Sequence, residues 1–155
     1  MTKTKILFVC LGNICRSPSA QGVFEKLIKE KGVEHLFEVD SAGTHSYHVG
    51  GSPDSRSIHH ASLRGIDISK QIARSIQARD FDYFDYIIAM DNANYETLLA
   101  MCPGDELEVK IYEMMSFAQD TGYIEVPDPY DGGGKGFELV LNLLENATQG
   151  LLRSL

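Results

Sequence analysis

The start of the chain joins a short apolar strand almost directly to an amphipathic helix, and this pairing limits the folds open to it. Lys5 to Cys10 is apolar and rich in β-favouring residues, which predicts a fully buried strand. Ser17 to Lys31 has apolar residues at helical spacing, and Gly32 follows as a stop signal. A buried strand followed so closely by a helix predicts a βαβ unit and therefore a parallel sheet.

The same alternation continues to the end of the chain. Further strands are predicted at Phe37 to Ala42, Tyr86 to Met90 and Leu107 to Tyr112. Further helices are predicted at Pro53 to Arg64, Asn92 to Cys102 and Lys135 to Leu152, with one helical turn expected at Ala73 to Ala78. The expected fold is α/β: a three-layer, doubly wound, four-stranded parallel sheet with helices on both faces. A length of 155 residues predicts one domain spanning residues 1–155.

Composition excludes several classes of partner. A net charge of -8 argues against nucleic acid, because phosphate-backbone binding needs clustered Lys and Arg. No apolar stretch is long enough to span a bilayer, so no membrane role is expected. The three cysteines form no disulfide framework and fit a reducing compartment. We therefore expect a cytoplasmic protein.

The loop after the first strand has the composition of an anion-binding turn. Gly12 permits close backbone approach, and Asn13 is among the few non-glycine residues that tolerate the left-handed region. Such a loop can turn its N–H groups inward around an anion. Ser17 and Pro18 are expected as the N-cap and first residue of the helix. The positive end of the helix dipole would then point at the same spot.

Cys10 and Arg16 supply reactive chemistry to this loop. Strand ends in such sheets face the ligand crevice, so Cys10 is expected there. The Arg16 guanidinium can grip two phosphate oxygens at once. A helix N-terminus and a cation both favour the thiolate, and the Ser17 hydroxyl can donate a hydrogen bond to it. A buried structural cysteine beside an ordinary helix cap is the alternative, but the combined features favour a nucleophile in a phosphate pocket.

Asp128 is the candidate general acid. Transfer of a phosphoryl group to a thiolate needs a proton for the departing oxygen. Asp128 lies between Pro127 and Pro129, whose rings stiffen the backbone and hold the carboxyl at a fixed reach. The alternative is an Asp in an ordinary Pro-rich surface turn.

Five motifs make the chain resemble the low-molecular-weight protein tyrosine phosphatase family, the acid-phosphatase type, and its bacterial members in particular. The most specific is ILFVCLGNICRSPSA. The others follow it in the family's order and cover nearly the whole chain: Asp40 to Thr44, Ser52 to Arg56, Phe84 to Asp91, and Asp128 to Tyr130. The resemblance implies that family's fold, with strand order 2-1-3-4.

The resemblance also implies a two-step mechanism that uses no metal and no cofactor. Cys10 would attack phosphorus and form a phosphocysteine, while Asp128 protonates the tyrosyl oxygen. Asp128 would then act as base toward the water that hydrolyses the intermediate. Arg16 and the loop N–H groups would stabilise the transferring phosphoryl group. The expected reaction is hydrolysis of phosphotyrosine in proteins and of small aryl phosphates.

The family's binding residues carry over to the same loop and to the walls of the cleft. The phosphate- and substrate-binding residues implied are Leu11, Gly12, Asn13, Ile14, Cys15, Ser17, Tyr47 and Tyr130. Asn13 is implied to be held left-handed by a network including Ser17 and Ser41. Cys15 matches a cysteine that can pair reversibly with Cys10 under oxidation. The implied partners are a tyrosine-phosphorylated protein and a cognate tyrosine kinase, with the enzyme a monomer or weakly self-associating.

Some positions depart from the family or leave two interpretations open. Arg64 stands where animal members have a His in the network supporting the loop, so we expect that network to differ here. Asp131 replaces a second Tyr, which weakens any control of that loop by tyrosine phosphorylation. Asp91 either braces Arg16 or caps the following helix. The five histidines have no metal-ligand spacing and are expected at the surface, with His48 near the mouth of the cleft.

Three rival functions are less well supported by the sequence. Arsenate reduction needs further cysteines to pass a disulfide outward, and only Cys102 lies beyond the loop. Phosphoarginine phosphatases of the same family carry Thr where Ile14 stands, and an apolar Ile favours an aromatic ring. A catalytically silent phosphate-binding module would not need nucleophile, Arg and acid together.

Overall fold

A parallel four-stranded sheet forms the centre of the protein in this computed structural model, which describes residues 2–129 and 133–155. The strands are β1 (Thr4–Cys10), β2 (Phe37–Gly43), β3 (Tyr86–Ala89) and β4 (Ile111–Glu113). Their order across the sheet is β2-β1-β3-β4, and each neighbouring pair is parallel. The expected strand order is confirmed.

Within residues 2–129 and 133–155, five α-helices connect the strands and follow the last of them. They are α1 (Arg16–Glu30), α2 (Ser55–Ser62), α3 (Ala78–Tyr83), α4 (Asn92–Met101) and α5 (Gly133–Ser154). Short 3-10 helices lie at Glu34–Leu36, Asp105–Lys110 and Met114–Phe117. Within the described part of the chain, no helix combines the length and the apolar character needed to cross a membrane.

Successive residues of β1 point into two separate apolar layers. Ile6 and Phe8 pack with residues of α1 and α5 on one face, and Leu7 and Val9 pack with residues of α3 and α4 on the other. Ile6 to Val9 are fully buried because helices cover both faces of a parallel sheet. This arrangement confirms the three-layer architecture and places the carboxyl end of β1 at its centre.

Two predicted elements differ from the structure. The strand expected at Leu107 to Tyr112 is mostly the 3-10 helix Asp105–Lys110, and β4 begins only at Ile111. In the segment 107–112, the charged residues Glu108 and Lys110 alternate with apolar ones, so the apolar run is not continuous. β4 is also an edge strand that pairs with β3 alone, so fewer hydrogen bonds hold this segment extended. The helical turn expected at Ala73 to Ala78 is wrong. Ser75 instead bridges to Gly43 beside β2, so this segment extends the sheet.

Candidate active site

The loop after β1 turns on Asn13, whose φ is 57°. Its side-chain amide donates to Ser17 Oγ at 2.8 Å and to Ser41 Oγ at 2.9 Å. Its side-chain oxygen accepts from the backbone N–H of Arg74 at 3.0 Å. These three bonds offset the strain of a left-handed non-glycine residue. The expected conformation of Asn13 and its partners Ser17 and Ser41 are confirmed.

Ser17 contacts the candidate nucleophile rather than capping the helix. Helix α1 begins at Arg16 with Cys15 as N-cap, so the predicted N-cap role of Ser17 is wrong. The Ser17 hydroxyl lies 3.1 Å from Cys10 Sγ. Because Asn13 donates to Ser17 Oγ, the hydroxyl proton is left to point either to Cys10 Sγ or to the Ala42 carbonyl, 3.4 Å away. Cys10 is 3% exposed, at the base of a cleft.

Arg16 is buried behind the loop and held on two sides. Its Nη1 donates to Asp91 Oδ2 at 2.6 Å and to the Val126 carbonyl at 3.0 Å, while Nη2 lies 3.8 Å from Asp128 Oδ2. Burial alone would lower the pKa of Arg16, but the charges of Cys10, Asp91 and Asp128 outweigh it and raise that pKa. The guanidinium therefore stays charged and fixed beside the cysteine.

Asp91 performs both roles that the sequence left open. Its Oδ2 accepts from Arg16, and its Oδ1 accepts from the backbone N–H of Asn94 at 2.7 Å. The second bond caps α4. One carboxylate thus ties the guanidinium to the end of β3.

A cleft of about 260 Å³ opens above Cys10. It is lined by Cys10, Leu11, Gly12, Ile14, Arg16, Tyr47, His48 and Asp128. Tyr47 is 74% exposed and forms part of the rim, and His48 lies at the mouth as expected. The structure therefore brings the sulfur, the guanidinium, the Asp128 carboxyl and an apolar wall together. Tyr130 and Asp131 lie outside the described residues.

Cys15 is buried and electronically unlike a nucleophile. Burial raises the pKa of the Cys15 thiol to about 12, and the charges of Asp54, Cys10 and Asp128 act in the same direction. A nearby Ser57 hydroxyl opposes this only in part. Cys15 is therefore a neutral thiol at physiological pH, whereas the nucleophile must be a thiolate.

The loop rests on a segment that the sequence did not identify. The Gln71 side chain donates to the Pro18 carbonyl at 3.1 Å, and the Arg74 carbonyl accepts from the Gly43 N–H at 2.8 Å. The Arg74 guanidinium pairs with Asp40 and with Asp80, each at 3.0 Å. Asp80 is only 4% exposed, so Arg74 is the cation that balances a buried carboxylate. Arg74 is a single Arg outside every motif, so the sequence gave no signal that it supports the loop.

Gly43, at the end of β2, lets this strand approach the loop. A Cβ there would lie 2.9 Å from the Leu11 carbonyl oxygen and 3.1 Å from the Gly12 carbonyl carbon. Both distances are shorter than an ordinary carbon contact, and backbone atoms cannot easily move away. The glycine in the motif Asp40 to Thr44 is thus required by packing against the phosphate loop, residues 11 to 16 from the end of β1 to the first residue of α1.

Arg64 does not take part in the support of the loop. Its guanidinium contacts α5 instead, with Glu138 and Glu145 each at 2.7 Å. The network that supports the loop does not include position 64, so it differs from the animal members there, as expected. Gln71 and Arg74 support the loop instead. His60 is also not a solvated surface residue, since its ring bonds to Glu138 and is half-buried. Among residues 2–129 and 133–155, no group of three or more His, Cys, Asp or Glu side chains could hold a metal ion.

Comparison with known proteins identifies the family. Residues 5–155 match the model of the low molecular weight phosphotyrosine protein phosphatases. The chain belongs to this family. YfkJ of Bacillus subtilis, named a low molecular weight protein-tyrosine-phosphatase, is 39% identical over 150 residues, with 97% of this chain and 94% of that protein covered.

Solved structures of the family agree with the fold. A protein tyrosine phosphatase from Entamoeba histolytica, crystallised with Hepes in its active site, has a TM-score of 0.95 at 45% identity. That match covers 98% of this chain and 96% of the other. A Drosophila arginine phosphatase has a TM-score of 0.91 at 32% identity and covers 97% of both chains. The family architecture thus includes proteins named for two different phosphorylated residues.

Proposed function

We propose that this member of the family hydrolyses phosphotyrosine in proteins, with Cys10 as nucleophile, Arg16 as phosphate ligand and Asp128 as general acid. The observation that carries the proposal is the cleft itself, where a buried sulfur, a fixed guanidinium and a carboxyl share one wall with apolar side chains. Ile14, Leu11 and Tyr47 provide surface for an aromatic ring, and Tyr130 is proposed to flank it.

The first step transfers the phosphoryl group to sulfur. Cys10 Sγ attacks phosphorus while the bond to the tyrosyl oxygen breaks, and Asp128 gives its proton to that oxygen. The products are tyrosine and phosphocysteine. Arg16 and the backbone N–H groups of residues 11 to 16 balance the charge on the equatorial oxygens. The Ser17 hydroxyl bond to sulfur keeps the thiolate in place before attack.

The second step releases phosphate. The Asp128 carboxylate accepts a proton from a water molecule whose oxygen attacks phosphorus, and the sulfur–phosphorus bond breaks. The departing thiolate is stabilised by the Ser17 hydroxyl and by the charge of Arg16. Every proton moved in the two steps passes through Asp128, so no metal or cofactor is required.

The reaction is tested by the response to Cys10→Ser and to chelators. We expect vanadate-sensitive hydrolysis of 4-nitrophenyl phosphate that is unchanged by EDTA and lost by a factor of at least about 10³ in Cys10→Ser. Initial rates at saturating substrate measure this loss. Activity that survives the substitution, or that needs a divalent metal, contradicts the mechanism.

The substrate class is tested by comparing phosphotyrosine and phosphoarginine peptides of the same sequence. We expect the higher kcat/KM with phosphotyrosine, because Ile14 offers an apolar contact to a ring and no hydrogen-bond acceptor to a guanidinium. A preference for phosphoarginine would overturn the substrate assignment while leaving the chemistry of Cys10 intact.

The acid role of Asp128 is tested by leaving-group dependence. Asp128→Ala is expected to reduce kcat/KM about 10²-fold for phenyl phosphate and much less for 4-nitrophenyl phosphate, since a good leaving group departs without a proton. The measurement is kcat/KM across a series of substituted phenyl phosphates. Equal loss with every leaving group would remove Asp128 from this role.

We further propose the setting in which this activity operates. As a member of the family, the enzyme would act on tyrosine-phosphorylated proteins. We propose that a cognate tyrosine kinase is one of these substrates. Residues 1–155 form one catalytic domain, monomeric or weakly self-associating, and cytoplasmic because the three cysteines suit a reducing compartment. Sedimentation of the purified chain tests the oligomeric state.

A further inference from the structure

The first turns of α5 are held against α2 by a group of side chains outside the cleft. The Phe137 ring, 3% exposed, stacks on the His60 ring with centroids 5.7 Å apart and planes 6° apart. The Arg56 guanidinium lies 4.8 Å from the centroid of the same ring. Two residues of α2 therefore fix one aromatic residue of α5.

Glu138, the next residue along α5, is hydrogen-bonded to a residue of α2 and to a residue just after that helix. It accepts from His60 Nδ1 at 2.5 Å and from Arg64 Nη2 at 2.7 Å. These bonds, from Arg64 first and then from His60, lower the pKa of the Glu138 carboxyl, so it is charged at neutral pH. A charged carboxylate that accepts two hydrogen bonds restricts both the rotation and the sliding of this helix end.

The same helix end lies close to the backbone beside Asp128. A Cβ built at Gly136 would lie 3.6 Å from Cα and Cβ of Pro129, so these two residues are neighbours across the gap between the helix and the Asp128 segment. Pro129 is buried, and its ring restricts the backbone of Asp128. The start of α5 therefore lies beside the residue that follows Asp128, so a shift of this helix can alter the placement of the carboxyl.

The opposite end of α2 is bonded to the phosphate loop. The backbone N–H of Asp54, the N-cap of α2, donates to the Ile14 carbonyl at 2.8 Å. Helix α2 consequently contacts the phosphate loop at one end and the helix beside Asp128 at the other. A short rigid element that touches both sides of the cleft can set the distance between them.

We propose that His60, bonded to Glu138 and stacked on Phe137, is a positioning residue that sets the reach of Asp128 to the leaving oxygen. This inference rests on the proposed acid role of Asp128. His60 touches neither substrate nor phosphate in this scheme and acts only through the placement of α5 and Pro129.

The test is His60→Ala, assayed with phenyl phosphate and 4-nitrophenyl phosphate. We expect kcat/KM to fall about tenfold for phenyl phosphate and less than about twofold for 4-nitrophenyl phosphate, because a displaced acid matters only where a proton is needed. His35→Ala, the same substitution in the exposed 3-10 turn before β2, serves as matched control and is expected to change neither value.

The same substitution in the Asp128→Ala background separates positioning from general damage. If His60 acts through Asp128, adding His60→Ala to Asp128→Ala causes no further loss with either substrate. A further loss in that background, or equal loss with both substrates in the single variant, overturns the proposal. If Asp128→Ala itself shows no leaving-group dependence, the acid assignment has failed rather than the positioning role.

Glu138→Gln provides a second variant in case His60→Ala does not fold. It keeps the shape of the side chain and removes the charge that Arg64 and His60 contact. Thermal unfolding monitors the fold of each variant. We expect the same selective loss with phenyl phosphate, and an unchanged ratio of the two substrates would contradict the role of this contact.

Discussion

Asp91 shows at the level of single residues how one carboxylate serves two elements. One oxygen fixes Arg16, and the other caps α4 through Asn94. Arg16 thereby has a defined orientation before any phosphate arrives, because its Nη1 is already bonded to Asp91 and to the Val126 carbonyl. Preorganised charge of this kind is the largest contribution to catalysis in most phosphoryl transfers.

The two cysteines of the loop should differ sharply in reactivity. With the pKa of Cys15 at about 12, this thiol is almost entirely protonated at neutral pH, whereas Cys10 has a hydroxyl donor and a guanidinium beside it. We expect iodoacetamide near neutral pH to modify Cys10 first, with loss of activity, and Cys15 last.

Peptide mass mapping after timed labelling measures this order. Incubation with vanadate is the control, since it should protect Cys10 and leave the labelling of Cys102 unchanged. Modification of Cys15 at a rate similar to that of Cys10 would show that burial does not suppress its ionisation.

The sequence predicted the residues of the loop better than the residues behind it. Cys10, Asn13 and Arg16 act within one turn of chain, so their residue types and spacing indicate their environment. Gln71 bonds to Pro18 across 53 residues through its side-chain amide, and Arg74 bonds to Asn13 across 61 residues through its backbone N–H. Such contacts depend on the tertiary fold, and a single sequence carries no local pattern for them.

At the level of elements, the accuracy of prediction follows burial. β1, β2 and β3 begin and end within about one residue of their predicted limits. β1 and β3 are mostly buried and mostly apolar, whereas β2 is only half-buried over its first four residues and is bounded by the glycine at its end. β4 is short, lies at the edge and follows a charged 3-10 helix, so its pattern was ambiguous. Helix ends were less certain because capping depends on tertiary contacts, as Ser17 illustrates.

The N-cap of α2 should make a measurable contribution to the free energy of unfolding. Asp54 accepts from the Arg56 N–H at 2.8 Å and pairs with the Arg56 guanidinium. Asp54→Ala is expected to lower the free energy of unfolding by about 1 kcal/mol at neutral pH, and Asp54→Asn by less, since Asn also caps helices. Urea denaturation of the three proteins measures these differences.

The pH dependence of this cap has a defined sign. The Arg56 side chain is the main cause that lowers the pKa of Asp54 below its usual value. The contribution of the charge is therefore complete above the unfolded-state pKa and is lost as pH falls through the folded-state value. The stability gap between the native chain and Asp54→Asn should shrink between neutral pH and about pH 3. A constant gap would mean that the charge contributes nothing.

Across the whole molecule, Arg74 connects parts that the sheet alone does not hold together. Its guanidinium pairs with Asp40 on β2 and with Asp80 on α3, while its backbone bonds to Asn13 and Gly43. Asp80 also accepts from the backbone N–H of Gln77 at the start of α3. One residue thus joins the edge of the sheet, a helix of the second apolar layer and the phosphate loop.

Removal of Arg74 should destabilise the protein and disturb the loop together. Arg74→Ala leaves the buried Asp80 without its cation, which is expected to cost about 2 kcal/mol after allowance for partial solvent exposure. Arg79→Ala, an exposed change in α3, is the control and should stay within about 0.5 kcal/mol. Chemical denaturation and kcat/KM measure the two effects. Equal stability of both variants would show that the network contributes nothing.

The left-handed turn at Asn13 has a consequence for the thermodynamics of ligand binding. Because three hydrogen bonds already fix this residue, the loop loses its conformational entropy when the chain folds and not when an anion arrives. Oxyanions should therefore bind with little ordering of the backbone. Inorganic phosphate, the product of the reaction, would bind to the same preordered loop. The rigidity of the loop therefore favours product inhibition.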